Sequence, residues 1–209
     1  MGQSNPPKTV YWLDNNVYLN ITNKCSNNCW FCFRNFKQGV GGFNLKLQEE
    51  PSATTVMAEF QEALASRSWS EVVFCGFGEP TERLDLLLEI AHWIKAHYPK
   101  IPIRLDTNGH GYAINKGIEV AEELKAAGVS KISVSMNGHN AETYNENCRP
   151  TFCGAFEEVL EFVKKAKDAG LDVEVSAVRM PEVDIAKVKA VAESMGAPFR
   201  IRDYIPCFW

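Results

Sequence analysis

The feature that most constrains this chain is a regular alternation of β-type and helical segments along almost its whole length. Residues 17–22, 72–75, 103–107, 131–136, 172–178 and 199–204 each carry β-branched or apolar residues in alternation, the pattern of strands. Between them, helical spacing runs over residues 54–66, 84–97, 117–127, 155–169 and 185–195. Pro99 follows the second of these helices, and Gly128, Gly170 and Gly196 follow the last three, where a left-handed capping residue belongs. Strands alternating with helices specify an α/β fold with a parallel sheet and right-handed crossovers. Six such strands in 209 residues leave two architectures, an incomplete TIM-like barrel or an open doubly wound sheet. The length suits one domain with a sizeable core, or at most two small ones.

The two faces of these strands differ. One alternating set is apolar: Leu19 and Ile21, Val72 and Phe74, Ile103 and Leu105, Ile132 and Val134, Val173 and Val175, Phe199 and Ile201. The other is largely polar: Asn20, Thr22, Cys75, Arg104, Asp106, Ser133, Ser135, Asn137, Glu174, Ser176, Arg200 and Arg202. Successive side chains point to opposite faces, so the apolar set meets the helices and the polar set shares one interior. Polar groups are costly to bury without partners. Such an interior calls for water, a polar ligand or internal ion pairs, for example Arg104 with Glu174.

The first strand runs into Lys24-Cys25-Ser26-Asn27-Asn28-Cys29-Trp30-Phe31-Cys32. Seven cysteines are many for a chain of this size, and the count is odd. The polar start, Met1 to Lys8, lacks a signal-peptide layout, so metal binding or catalysis is expected before a disulfide framework. Three cysteines within eight residues can converge on one face of an iron–sulfur cube. Clusters are normally held by four thiolates, and three leave one iron open to a chelating ligand. Zinc is the competing reading, with His92, His97, His110 or His139 as fourth ligand, but none sits at finger-like spacing.

Together these motifs resemble the radical S-adenosylmethionine (SAM) superfamily. The Cys-x3-Cys-x2-Cys spacing with Phe31 before the last cysteine matches its signature. Gly76-Phe77-Gly78-Glu79-Pro80 is similar to its Gly-Gly-Glu segment, with Phe77 at the departing position. Asp106-Thr107-Asn108-Gly109 and Ser133-Val134-Ser135-Met136-Asn137-Gly138 follow in order, with Asn137 where many relatives carry aspartate. The resemblance implies a six-stranded parallel (β/α)6 partial TIM barrel over residues 15–209, preceded by an N-terminal segment, 1–14. It implies a 4Fe–4S cluster on Cys25, Cys29 and Cys32, and SAM as the second cofactor. Phe31, Gly76, Gly78, Glu79, Asn108, Ser135, Asn137, Ser176 and Arg202 are then the expected cofactor-binding residues. Glu79 would accept from the SAM ammonium, Phe31 would lie against adenine, and Ser135 and Asn137 would bond ribose. Gly76 and Gly78 would let the backbone approach the ligand. Within the superfamily the chain looks most like the small TatD-associated radical SAM proteins.

The resemblance implies an enzyme of oxidoreductase type that abstracts hydrogen from a substrate the sequence does not identify, small molecule or macromolecule. An electron donor such as flavodoxin or ferredoxin is the implied partner. A net charge of −4 gives no general attraction to nucleic acid. No apolar stretch approaches the roughly 18 residues that span a bilayer, so a cytoplasmic protein is expected. Cys75, Cys148, Cys153 and Cys207 have no assigned role. Two other classes compete: a non-catalytic iron–sulfur or zinc protein in electron transfer or regulation, and an aldolase-like or phosphate-binding α/β enzyme with incidental cysteines.

Overall fold

A computed structural model describes residues 6–204. Two strands open it, β1 (Val10–Leu13) and β2 (Asn16–Leu19), followed by a small hairpin of β3 (Gly39–Val40) and β4 (Phe43–Asn44). Then come α1 (Ala53–Ser66), β5 (Glu71–Phe74), α2 (Leu84–His97), β6 (Ile103–Thr107), α3 (Gly111–Ile114) and α4 (Val120–Ala126). The chain continues through β7 (Lys131–Ser135), α5 (Ala141–Cys148), α6 (Ala155–Asp168), β8 (Asp172–Arg179), α7 (Ile185–Ser194) and β9 (Phe199–Asp203).

One seven-stranded sheet runs in the order β1-β2-β5-β6-β7-β8-β9. The six predicted strands are its parallel members, each beside the next in sequence. The seventh is an addition: β1 pairs antiparallel with β2 at the edge. Residues 10–13, left by the sequence to an N-terminal segment, are therefore part of the sheet, and Asp14 and Asn15 form the turn that joins it to β2. The sheet curls into a half-barrel.

The helix-facing side is the predicted apolar set. Leu19, Phe74, Leu105, Val134 and Val175 are each fully buried in one continuous core. On the β7 and β8 part of that face packs α6, whose Phe156, Val159, Phe162, Val163 and Ala166 form one buried stripe. Each such side chain contributes about 1.5–3 kcal/mol when fully buried. Ile201 departs from the prediction. It is 38% exposed, because β9 is the sheet edge and has a strand neighbour on one side only.

The predicted polar set does line the interior, with different partners. Arg104 lies 3.2 Å from Glu71 and 3.4 Å from Asp106, not against Glu174. Register explains this: β7 separates β6 from β8, and Glu174 pairs instead with Arg200 on the adjacent strand at 2.7 Å. The helix expected from residue 117 begins at Val120, since Gly117 takes a left-handed φ of 82°. The short α5 goes unpredicted because only Tyr144, Asn147 and Cys148 are buried along it, too few for an apolar stripe. Its Asn140 cap, accepting from Thr143 N at 2.9 Å, is its local signal.

Candidate active site

The site forms where the parallel strands end. Asn20, fully buried just past β2, fastens three segments there. Its Nδ2 donates to Lys8 O at 2.9 Å and Leu45 O at 2.8 Å, and its Oδ1 accepts from Phe77 N at 2.8 Å. The glycine turn after β5 is thereby pulled onto the start of the cysteine loop, and Glu79 N donates to Lys24 O at 2.7 Å. A Cβ on Gly76 would come within 2.2 Å of Asn20 Oδ1, and one on Gly78 within 2.3 Å of Lys24 O. Both glycines border the cavity, but their neighbours on the crowded side are protein. Contact with Asn20 at Gly76 and with the Thr22–Lys24 backbone at Gly78, rather than approach to a ligand, is what forbids a side chain there.

Glu79 is 4% exposed and caps the single helical turn of Pro80–Arg83. Its Oε1 accepts from Thr81 N (3.1 Å), Thr81 Oγ1 (2.8 Å) and Thr107 Oγ1 (2.7 Å), and its Oε2 from Asn108 N (2.7 Å). Burial pushes its carboxyl above the usual range, and these hydrogen bonds oppose the shift. Asn108 borders the cavity, yet its side chain is spent on the protein. Nδ2 donates to Ser26 Oγ at 2.9 Å, and Oδ1 accepts from His110 N at 2.9 Å.

The cysteine loop is held from behind by the end of α5. Asn28 N donates to Cys148 O and Arg149 O, and Thr151 N donates to Ser26 O at 2.9 Å. Asn35 Nδ2 donates to Cys29 O and Trp30 O, both at 3.0 Å. Cys25, Cys29, Phe31 and Cys32 border one cavity of about 420 Å³. Its far wall carries Cys75, Asp106, Ser135, Asn137, Val178 and Arg202. Burial, with the Glu79 carboxylate second, raises the Cys25 thiol to about 12. Cys29 is raised chiefly by its hydrogen bond with Cys148, then by burial, and Cys32 by burial. The Arg34 guanidinium opposes all three shifts. These thiols keep their protons until a metal displaces them.

On the opposite wall, Ser135 Oγ accepts from Arg202 at 2.9 Å. Asn137 Oδ1 accepts from Val178 N at 2.8 Å, which leaves only Nδ2 to meet a ligand acceptor. Arg202 Nε is buried without a partner among the described residues. Ser176, predicted as a binding residue, does not border the cavity and is 1% exposed. It sits on β8, the strand that Arg200 and Arg202 cross to reach Ser133 and Ser135 on β7. Arg34, Thr81 and Tyr144, which the sequence did not single out, shape the site together with Asn20, Thr107 and His110, which it had read for the polar face, a strand-end motif and zinc. Cys153 is exposed, and Cys207 lies outside the described residues.

Among the described residues, no three His, Cys, Asp or Glu side chains gather where a single metal ion would be held. His110, one zinc candidate, is instead bonded to Ser26 and Tyr144. A family model, the Radical SAM superfamily, matches residues 19–195.

The chain belongs to the radical SAM superfamily.

That superfamily uses a 4Fe–4S cluster and SAM. A GTP 3′,8-cyclase of Paenarthrobacter nicotinovorans is 30% identical over 192 residues, which cover 90% of this chain and 50% of that protein. An AdoMet-dependent heme synthase of Methanosarcina barkeri is 29% identical over 200 residues, covering 94% and 50%. The chain spans about half the length of these curated relatives. The structure of Streptococcus suis SuiB bound to precursor peptide SuiA aligns with a TM-score of 0.67 at 16% identity, over 90% of this chain and 39% of that one. At this identity the likeness shows the fold, a partial TIM barrel, alone. None of these relatives is a TatD-associated protein.

A radical SAM cluster fits the donor set. In a cluster each thiolate takes its own iron, so three thiols that border one cavity without gathering on a single point suit it, whereas one ion needs ligands around a point. No helix among the described residues is long and apolar enough to cross a membrane.

Proposed function

We propose that the chain is a radical SAM enzyme whose cluster is held by Cys25, Cys29 and Cys32 and whose cavity takes SAM and a substrate. The observation that carries this is the placing of all three thiols beside the Gly76–Glu79 turn on one cavity at the strand ends. When bound and reduced, the cofactor pair supplies an electron that splits SAM into methionine and a 5′-deoxyadenosyl radical.

The chain's own residues hold and orient. Asn35 fixes the carbonyls of Cys29 and Trp30, and α5 fixes the loop's other side. Glu79 keeps Thr107 and Asn108 in place and has an Oε2 lone pair left for a ligand N–H. The Asn137 Nδ2 offers a donor to a hydroxyl oxygen, and Phe31 an aromatic face. Phe77, 8% exposed and edge-on to Phe33, lends the same cavity an apolar surface. A cytoplasmic setting and an electron donor of flavodoxin or ferredoxin type belong to this reading, as does a radical SAM domain that takes in β1 along with residues 15–209.

The test is anaerobic reconstitution with iron and sulfide, then SAM and a strong reductant, with products followed by chromatography and mass detection. Wild type should hold a full cluster and release 5′-deoxyadenosine and methionine. The triple Cys25→Ala, Cys29→Ala, Cys32→Ala variant should hold none. A triple variant that keeps a full cluster overturns the ligand assignment. A clustered wild type that never binds SAM supports the non-catalytic iron–sulfur reading instead.

A further inference from the structure

The cysteine loop lies in a stretch whose charge runs against that of the whole chain. Residues 15–48 hold Lys24, Arg34, Lys37 and Lys46 and no aspartate or glutamate, in a chain of net charge −4. The fold leaves most of this charge uncancelled. Among the described residues, Arg34, Lys37 and Lys46 make no ion pair. Lys24 has Glu82 as a neighbour, and Arg34 lies over the Phe77 ring at 5.2 Å. The next acids in sequence are Glu49 and Glu50, and Glu50 is engaged with Arg83 at 3.6 Å. At the base of the β3–β4 hairpin, Leu45 N and Lys46 N both donate to Gln38 O, at 2.7 and 3.1 Å. That pairing brings Lys46 beside the segment that carries Lys37. Like charges on facing strand positions repel, so this pair gains from an acidic partner.

Phe36, next to Lys37, is 51% exposed, the most exposed large hydrophobic side chain among the described residues. It follows the single helical turn Phe33–Asn35 that Cys32 opens. This turn is one hydrogen bond from the cysteines. Asn35 N donates to Cys32 O at 3.0 Å, and Asn35 Nδ2 holds Cys29 O. Phe36 N and Lys37 N both donate to Phe33 O, at 2.9 and 2.8 Å. The opposite side of the loop is covered, since α5 braces it from behind: Asn27 Nδ2 donates to Tyr144 Oη at 3.1 Å and Asn28 N to Cys148 O at 3.0 Å. Phe36, Lys37 and Lys46 do not border the cavity, so a partner on them need not displace its contents.

We propose that Phe36, Lys37 and Lys46 form the docking surface for an acidic one-electron carrier protein that reduces the cluster. This rests on the reading of Cys25, Cys29 and Cys32 as cluster ligands. The carrier is oxidised by one electron and the cluster reduced by that electron, and no bond forms or breaks. Encounters of this kind use small, transient interfaces. Opposite charge on the two surfaces speeds the encounter and fixes its orientation, while an apolar side chain at the centre supplies contact. The patch has both parts, on the uncovered side of the segment that carries Cys29 and Cys32.

The experiment titrates the reconstituted protein with an oxidised flavodoxin of acidic net charge, following flavin fluorescence without oxygen. The Lys37→Glu/Lys46→Glu variant should bind about tenfold more weakly than wild type at low salt, and salt should weaken wild type far more than the variant. Phe36→Ser should bind more weakly at every salt concentration. Lys100→Glu, just before β6 at the other end of the strands, should bind as wild type does. SAM cleavage driven by dithionite should be the same in all of these, while cleavage driven by reduced flavodoxin should need about tenfold more carrier in the double variant. Equal flavodoxin affinity in wild type and the double variant overturns the proposal and leaves the cluster assignment intact. Loss of dithionite-driven cleavage in the double variant also overturns it, since the face then serves the site's structure. A second copy is the competing occupant: a dimer in sedimentation that the double variant dissolves overturns the carrier reading. If the double variant does not fold, unchanged affinity in Lys37→Gln/Lys46→Gln overturns the proposal. A wild type that takes up no cluster removes the underlying assignment, a result read separately from carrier binding.

Discussion

The Glu79 carboxylate accepts from Thr81 N, Thr81 Oγ1, Thr107 Oγ1 and Asn108 N, all within the protein. Its first effect is therefore on the shape of the site. Truncating it strands two buried backbone N–H groups, while the two hydroxyls can turn elsewhere. Each stranded donor costs about 1–3 kcal/mol. Glu79→Ala should lower the unfolding free energy by about 2–6 kcal/mol in a denaturant titration. It should also reduce iron uptake, because Asn108 then loosens its hold on Ser26. Unchanged stability and full cluster content with weaker SAM binding would show that Glu79 acts on the ligand alone. The sequence made Glu79 conspicuous, since it follows the glycine turn. Its four partners were not legible, because Thr107 and Asn108 reach it only when β6 lies beside β5.

Three segments distant in sequence, the cysteine loop, the turn after β6 and α5, meet through His110. The ring is buried, so in the folded state it resists protonation, while in the unfolded chain it protonates near its ordinary value of 6.5. The folded pKa is the lower of the two. Stability from this residue is therefore complete above pH 6.5 and falls as the pH drops toward about 4, by about 1.4 kcal/mol per unit. Denaturant titrations of wild type and His110→Gln across pH 7 to 4.5 would check this. The slope should flatten in the variant, and parallel curves would mean that His110 is not the titrating group. The strand faces and the helices α1, α2, α4, α6 and α7 were readable because period and capping glycines are local signals. The brace was not, for α5 carries no apolar stripe and Cys148 gives no hint in sequence that its carbonyl accepts from Asn28 N.

Across the whole molecule, the half-barrel closes its interior with charge as well as packing. Arg200 and Arg202 pass over β8 to Ser133 and Ser135, tying the edge strand to a strand two positions away. Outside that tie β9 is thinly covered: Arg200, Ile201 and Asp203 are exposed, whereas β6 and β7 are flanked by strands on both sides. Local opening follows such differences in burial. Amide hydrogen exchange should therefore be fastest in β9 among the parallel strands, and faster still in Arg202→Ala. Exchange in β9 as slow as in β6 would contradict the latch. The polar interior was legible as a face but not as a set of pairs. Alternation tells which way a side chain points, and register decides whom it meets.

The brace behind the cysteine loop also orders events in time. Tyr144 lies 117 residues after Asn27, so the loop leaves the ribosome well before the helix that shapes it. At roughly 5–20 residues per second, that interval is about 6–23 s. Through that interval the three thiols emerge on an unbraced segment, open to stray metals and oxidants. If Cys25, Cys29 and Cys32 hold the cluster as proposed, delivery of iron and sulfide to a correctly shaped loop becomes a late step of biosynthesis, after α5 has docked.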